Sequence, residues 1–367
     1  MSIARFSTPW LVFLACLVCQ PLQANPTLRV GGRLDLDVAK YDEDVTPLDS
    51  GTDLRRLRLE IGGSLSKKIG YYLLADFSDG SYGAEAAWLR YRADRRNEFY
   101  AGRLEIPFSL QQVTPSLSNL FMERALPVAL SRHYGTGVAY IHMSSKWSWR
   151  AGLFGDDELN FGGTKPAGTA LAVRVGRRLR AGESRFWLGA AAMVQDAMQP
   201  ERIRARPESS VANEYLVNTS NMFGIAKTSR LGLEGVWKKD QWSLQGEWIQ
   251  YHAQRDSAED VTFRGGYVEA SRMFNGRRRF NFRRGEWMSP EIGDKGAWEL
   301  SARISRIDLQ DGAVTGGEET NYSLGLNYYI NPINRIMFNW IKADARPNKR
   351  GIDESPSTLQ FRLQLGF

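Results

Sequence analysis

Alternation of apolar and polar residues with a period of two, repeated in runs of about ten residues, most limits the folds open to this chain. In the first run Leu28, Val30, Leu34, Leu36 and Val38 share one face, and charged residues fill the other. Such alternation predicts β-strands. In a soluble sandwich the charged face would meet water outside, whereas in a membrane barrel it would line a wet lumen while the apolar face meets lipid.

The connections between these runs favour the membrane barrel. Short polar turns alternate with long segments, which lie at 41–53, 105–134, 156–168 and 198–227. Outer-membrane barrels have this asymmetry, with tight periplasmic turns and long external loops. The chain also ends on an alternating stretch that closes with Phe367, as the last strand of an outer-membrane protein does.

Aromatic residues gather near the predicted strand ends. They are Tyr71, Tyr72, Trp147, Trp149, Trp237, Trp242, Trp248, Tyr251, Tyr328 and Tyr329. Membrane proteins place such residues in girdles at both bilayer interfaces. The alternative is that these aromatics belong to an ordinary core.

The predicted fold is all-β, a transmembrane antiparallel barrel of about sixteen strands. The strands begin near residues 28, 54, 69, 84, 97, 135, 146, 169, 184, 228, 241, 261, 295, 319, 334 and 356. An even number returns both termini to the periplasm, and closure pairs every backbone group, as lipid requires. Residues 275–294 fit poorly, because they are long and basic where parity predicts a short turn. Either the strand count is off by two or this turn carries something extra.

Residues 1–24 predict an export signal that is removed, which leaves 25–367 as a single barrel domain. Arg5 precedes an apolar run that ends at Cys19, and Ala24 provides a small residue at the cleavage site. The run is shorter than the roughly 20 residues that a spanning helix needs. Cleavage would remove Cys16 and Cys19, which excludes thiol catalysis, disulfides and cysteine metal sites from the mature chain.

Residues 54–63, with the sequence LRRLRLEIGG, resemble the phosphate- and polyphosphate-selective porins O and P. The likeness continues through AGRLEIPF at 101–108, GLEGVW at 232–237, GAWEL at 296–300, GLNYY at 325–329 and the final strand. It covers essentially the whole mature chain. The resemblance implies a trimeric barrel of sixteen strands, whose third loop folds inward to narrow an anion pore. Residues 105–134 are long enough for that loop.

The resemblance places the family's constriction arginines at Arg55, Arg56 and Arg124. Guanidinium stays charged at physiological pH and offers forked donors to phosphate or carboxylate oxygens. Neighbouring residues of a regular strand face opposite ways, so Arg55 and Arg56 both line a lumen only if the strand bends or bulges. Otherwise one of them extends along the barrel surface to the bilayer interface.

The resemblance also implies an arginine ladder at Arg202, Arg204 and Arg206. A spacing of two puts all three side chains on one side of an extended backbone, so an anion would pass between neighbouring sites without a deep trap. The alternative is a solvated basic loop.

The chain departs from the family pattern at three places. The family's serine-lysine cluster keeps its serines here, as Ser116 and Ser118, but has lost its lysine. Arg58 stands where the family has a tyrosine. Ala84, with Glu85 beside it, stands where the family has an acidic residue. We therefore add Arg58, Ser116 and Ser118 to the predicted anion constriction. The departures weaken phosphate specificity more than anion passage.

The sequence predicts a passive outer-membrane anion channel without cofactor or metal. Its partners would be phosphate, polyphosphate or other small anions, outer-membrane lipid and further copies of the chain, but not nucleic acid. Two alternatives stay open: a general or differently selective porin in which internal acids neutralise the arginines, and a plugged structural or adhesive barrel. The acids in question are Asp35, Asp37, Glu60 and Asp76.

An enzyme is not expected. His133, His142 and His252 are the only histidines, and none has an Asp or Glu partner at an obvious spacing. His142 and Ser144 share one face of a predicted strand, as in barrel phospholipases, but an isolated histidine on a strand is more often structural.

Overall fold

The computed structural model describes residues 26–78, 83–155, 168–196 and 200–367, and sixteen strands in these ranges close into one antiparallel barrel. The strands of the barrel are β1 (Thr27–Asp42), β2 (Gly51–Ser64), β3 (Ile69–Asp76), β4 (Gly83–Arg92), β5 (Asn97–Glu105), β6 (Tyr134–Met143), β7 (Trp147–Phe154), β8 (Ala170–Ala181), β9 (Ser184–Asp196), β12 (Ile225–Lys239), β13 (Trp242–Arg255), β14 (Val261–Phe274), β17 (Ala297–Asp311), β18 (Val314–Tyr329), β19 (Arg335–Ala345) and β20 (Ser357–Gly366). Two small hairpins lie outside the wall, β10 (Arg204–Ala205) with β11 (Val217–Asn218) and β15 (Gly276–Asn281) with β16 (Glu286–Ile292).

The predicted barrel is confirmed, together with its sixteen strands. Strands β1 and β20 pair antiparallel and close the sheet. Both ends of the barrel sequence therefore lie at one rim, which is the periplasmic rim in outer-membrane barrels. No helix in the described ranges is long and apolar enough to cross a bilayer. The predicted signal peptide lies outside the described residues, as does nearly all of the long segment 156–168.

The barrel wall carries its apolar residues outside and its polar residues inside. On β17, Leu300 and Ile304 are more than half exposed, whereas Glu299, Arg303 and Ser305 are buried. Exposed leucine and isoleucine in such a band suit lipid, and the buried polar side chains face the lumen. The period-two pattern is therefore that of a membrane barrel, whose apolar face meets lipid, rather than that of a soluble sandwich.

The aromatic residues near the strand ends divide between the two faces. Trp147 and Trp242 are exposed on the outer face, in agreement with a girdle. Tyr251 and Tyr329 are buried inside the barrel, and Tyr72 lines an internal cavity. The girdle prediction is wrong for these three tyrosines, because neighbouring positions on a strand face opposite ways.

The third external connection, residues 106–133, folds into the barrel and is called loop L3 here. It carries the helix α1 (Leu110–Val113) and two 3-10 turns, Ser116–Ser118 and Leu126–Leu130. Wall glycines make room for it, because a Cβ at Gly265 would lie 3.0 Å from the Pro127 Cβ, and one at Gly325 would lie 3.1 Å from the Phe121 ring. The inward-folded third loop is confirmed.

Residues 275–294 form a hairpin inside the lumen, entering from the rim that carries the termini. Its Trp287 is buried, and the Trp287 backbone N–H donates to Thr114 Oγ1 of loop L3 at 3.3 Å. Its Arg278 donates to the Ser118 carbonyl at 2.6 Å. The count of sixteen barrel strands is therefore correct, and the connection between β14 and β17 carries this additional hairpin.

The fifth external connection, residues 200–224, also bends inward and is called loop L5. Its Glu208 is buried and accepts hydrogen bonds from Arg303 and Ser305 of β17. The predicted alternation of short and long connections fails once, because β17 and β18 are joined by only two residues at an end where the other connections are longer.

Candidate anion constriction

A β-bulge in β2 places two adjacent arginines inside the barrel. Asp35 pairs with Arg56 and Leu36 pairs with Leu54, so Arg55 is an extra residue in the ladder. A bulge redirects a side chain in this way. Arg56 is therefore buried while Arg55 still reaches loop L3. The bulge that lets both Arg55 and Arg56 line the lumen is therefore present.

Loop L3 is fastened to the wall through Glu123. Arg55 binds this carboxylate in a bidentate manner, at 2.9 Å from Nε and 3.1 Å from Nη2. Arg362 donates to the same carboxylate at 2.8 Å and binds Asp37 through two contacts of 2.6 Å. Bidentate arginine–carboxylate pairs are strong and geometrically specific. They hold the loop at a fixed height in the lumen.

Other arginines of the predicted constriction are also paired with acids. Arg56 Nη1 lies 3.0 Å from Asp35 Oδ2. Arg58 contacts Asp76 Oδ2 and Glu85 Oε2, both at 2.7 Å, and its Nη1 lies 3.4 Å from Ser116 Oγ. Three of the four acids that the sequence offered as neutralising groups, Asp35, Asp37 and Asp76, therefore do pair with arginines.

Arg124 differs from these arginines. Its Nε donates to the Gln111 carbonyl at 2.9 Å, but its two terminal nitrogens make no hydrogen bond and no ion pair within the described ranges, and the carboxylate that most attracts it is that of Glu105. Ser116 accepts from Arg33 at 2.8 Å. Ser118 is buried under the hairpin, which contacts its carbonyl. The structure therefore brings Arg58, Arg124 and Ser116 together and sets Ser118 apart.

These three residues line an internal cavity of about 410 Å³ between loop L3 and the wall formed by β1 to β5. Its other charged lining residues are Arg33, Glu60 and Glu105, and its apolar and aromatic lining includes Tyr72, Leu74, Trp88, Tyr134 and Phe367. A cavity of this size and mixed polarity is typical of a site for a small organic molecule.

The three arginines of the predicted ladder share one side of loop L5. Arg202 and Arg204 are exposed, Arg206 is half-buried, and the residues between them are buried in the core. Arg202 donates to the Asn218 side chain at 2.9 Å. The guanidinium carbons of Arg204 and Arg206 lie 4.3 and 5.1 Å from the centre of the Tyr215 ring. Tyr215 thus contacts two of the three arginines.

Several residues that matter here were missed by the sequence analysis. Arg33 and Arg362 lie at inward positions of β1 and β20, which strand parity alone indicates, and both join the ion-pair cluster. For the arginines of the hairpin, the only signal in the sequence was the basic composition of residues 275–294. His142 binds Asn97, and Ser144 contacts Trp147, so the histidine and serine do not form a catalytic pair. The described residues hold no cluster of three metal-ligating side chains.

Comparison with known proteins agrees with this architecture. A family described as phosphate-selective porin O and P matches residues 28–367. An uncharacterized protein of Caulobacter vibrioides is 26% identical over an alignment of 344 positions that covers 85% of this chain and 67% of that one.

Solved outer-membrane proteins share the fold. The trimer form of OmpT from Vibrio cholerae superposes with a TM-score of 0.60 at 10% identity, covering 93% of this chain and 99% of that chain. The anion-selective porin from Comamonas acidovorans gives 0.59 at 14% identity, covering 94% and 100%. At these identities the likeness establishes the fold alone. Because the family match spans almost the whole barrel, this chain belongs to the phosphate-selective porin O and P family, and it is an outer-membrane porin, a channel rather than an enzyme.

Proposed function

We propose that this porin is a passive, anion-selective channel whose ions include phosphate or polyphosphate. The observation that carries the proposal is Arg124, a guanidinium on loop L3 whose terminal nitrogens make no hydrogen bond or ion pair in the described part of the chain. Arg58 and Ser116 lie beside it in the same cavity. Arginine side chains at a narrow point are the expected lining of anion pores.

In this proposal Arg202, Arg204 and Arg206 collect external anions and pass them to loop L3. Their shared face and their freedom from carboxylate partners within the described ranges support this role. The guanidinium groups of Arg204 and Arg206 lie against the Tyr215 ring, and the spacing of the three arginines favours a row of weak sites over one strong site.

A general porin is the second candidate, and a specific observation favours it. Arg55, Arg56 and Arg58 all bind carboxylates, so much of the positive charge near loop L3 is neutralised. In such a pore the selectivity would rest mainly on Arg124 and the ladder, and phosphate would have no preferred site.

Planar-bilayer recording tests the proposal. In a KCl gradient we expect a reversal potential that shows chloride preference, and Arg124→Gln is expected to reduce that preference. Arg264→Gln, on the exposed outer face of β14, is the matched control and should leave it unchanged. Cation preference would overturn the proposal, and absence of any conductance would favour a plugged barrel. If millimolar phosphate or pyrophosphate fails to block the chloride current, the general porin remains.

We further propose that residues 1–24 are an export signal and that the mature chain forms a homotrimer. The trimer described for the Vibrio cholerae protein and the shared fold support the assembly. Crosslinking of detergent-extracted protein would give a band at three times the mass of one chain, and N-terminal sequencing would begin at residue 25. A single-chain band or an uncut start would refute the respective proposal.

A further inference from the structure

The cavity beside loop L3 carries both signs of charge on one strand. Arg58 and Glu60 are alternate residues of β2, so they face the same way, roughly 6.6 Å apart along the strand. Both line the cavity. Arg58 is held by acids at its other side, whereas Glu60 has no cationic partner within the described ranges. The wall therefore presents a guanidinium and, one step nearer the periplasm, a carboxylate that contacts the Tyr72 hydroxyl but no cation in the described part of the chain.

A second carboxylate of the cavity lining comes from another strand of the same wall. Glu105 is at the end of β5, opposite Tyr134, and also lines the cavity without an ion pair in the described part of the chain. The lining thus offers the terminal nitrogens of Arg124 together with two carboxylates, Glu60 and Glu105, that form no ion pair within the described ranges, and Glu105 is near enough to attract Arg124. A simple anion would be attracted by the arginines and repelled by Glu60 and Glu105, whereas a molecule with both charges satisfies both sets.

An aromatic surface continues the same wall beyond Glu60. Tyr72 and Trp88 are cross-strand partners whose rings stack at 5.3 Å with 27° between their planes, and both line the cavity. Trp88 makes an edge contact with Tyr100 at 5.2 Å. Stacked rings facing a wet cavity favour an aromatic or flat apolar group of a ligand. Inorganic phosphate has no part that uses such a surface.

We propose that this cavity is a binding site for zwitterionic α-amino acids with an aromatic side chain, on their way through the pore. The carboxylate contacts Arg58, Arg124 and Ser116, the ammonium contacts Glu60, and the ring stacks on Trp88 and Tyr72. The order of groups along the wall, guanidinium, carboxylate and aromatic ring, is that of the ligand. This inference rests on the proposed function, since Arg58, Arg124 and Ser116 serve both.

Three probes that differ by one group each test the site in planar bilayers. Phenylalanine carries all three features, 3-phenylpropionate lacks the ammonium, and alanine lacks the ring. We expect phenylalanine to block the KCl current at roughly a tenth of the concentration that either of the others needs, because each missing group leaves a cavity group without its partner. Equal block by 3-phenylpropionate, or no block by phenylalanine, would overturn the inference.

Two variants should each weaken block by a different set of probes, which a general structural defect cannot produce. Glu60→Gln should weaken block by phenylalanine roughly tenfold while leaving or improving block by 3-phenylpropionate. Trp88→Ala should weaken both ring-bearing probes and leave alanine unaffected. Leu89→Ala, at the exposed neighbouring position on the lipid face of β4, is the control and should change none. A parallel loss for phenylalanine and 3-phenylpropionate in Glu60→Gln would contradict the proposal.

The failure of this inference and that of the anion channel are distinguishable. Chloride preference without phenylalanine block would overturn the amino acid site alone. Cation preference with phenylalanine block intact would overturn the anion channel alone. The unmodified protein with the three probes decides the matter even if a variant does not fold.

Discussion

Replacement of hairpin residues 277–291 by a short Gly-Ser turn is expected to raise the single-channel conductance several-fold. The hairpin lies across the lumen, with Arg150 and Arg174 of one wall bound to its tip and Gln245 of the other wall bound to Trp287. Current through a water-filled pore grows with the free cross-section, and loss of this hairpin enlarges it. Conductance in symmetric KCl is the measurement.

The control for this deletion keeps the hairpin and changes its charge. Arg277→Gln with Arg279→Gln alters two exposed strand positions that pair with Glu291, and it should leave conductance close to that of the unmodified protein. If the deletion leaves conductance unchanged, loop L3 alone sets the current and the hairpin is no obstacle to ions.

Glu123→Gln is expected to shift the reversal potential further toward chloride. The change removes one negative charge that Arg55 and Arg362 share, at 2.9 and 2.8 Å. A unit charge at about 4 Å is worth about 1 kcal/mol in water, which corresponds to roughly a fivefold change in the chloride-to-potassium permeability ratio. Reversal potentials in a KCl gradient measure it.

Glu259→Gln, in the exposed connection between β13 and β14, is the matched control for this charge change. It is exposed, forms no ion pair with Arg55 or Arg362, and should produce a much smaller shift. An unchanged potential in Glu123→Gln would mean that permeating ions do not sense the Arg55 cluster. In that case selectivity arises elsewhere in the pore, and Arg124 or the ladder arginines of loop L5 are the residues that would set it.

The barrel was predictable because its information is local. Period two needs only neighbouring residues, and the predicted strand starts differ from those observed by at most a few positions, the largest difference being at β18, which begins at Val314 rather than near 319. The bulge at Arg55 was predictable only as a condition, because two adjacent arginines show the need for a bulge but not its presence. The shared face of the ladder arginines follows from their spacing and is present in loop L5.

The partners of the arginines were not predictable, because they come from distant parts of the chain. Arg55 meets Glu123, 68 residues later, and Arg362 meets Asp37, 325 residues earlier. Their pairing depends on barrel closure and on the path of loop L3, neither of which is written in local pattern. The hairpin was also not predictable from local pattern, since its short strands pair only with each other and not with the barrel wall.

The hairpin also constrains the order in which the protein assembles. Its Arg284 binds Glu98 and lies near Tyr100, residues of β5 that precede it by 186 and 184 positions, and its Trp287 reaches Thr114 of loop L3. Those contacts exist only when β5 to β8 already curve opposite β13 and β17. Contacts between such distant segments form late, because the chain between them must first be ordered. The hairpin therefore narrows the lumen only after the wall strands that it contacts have been ordered.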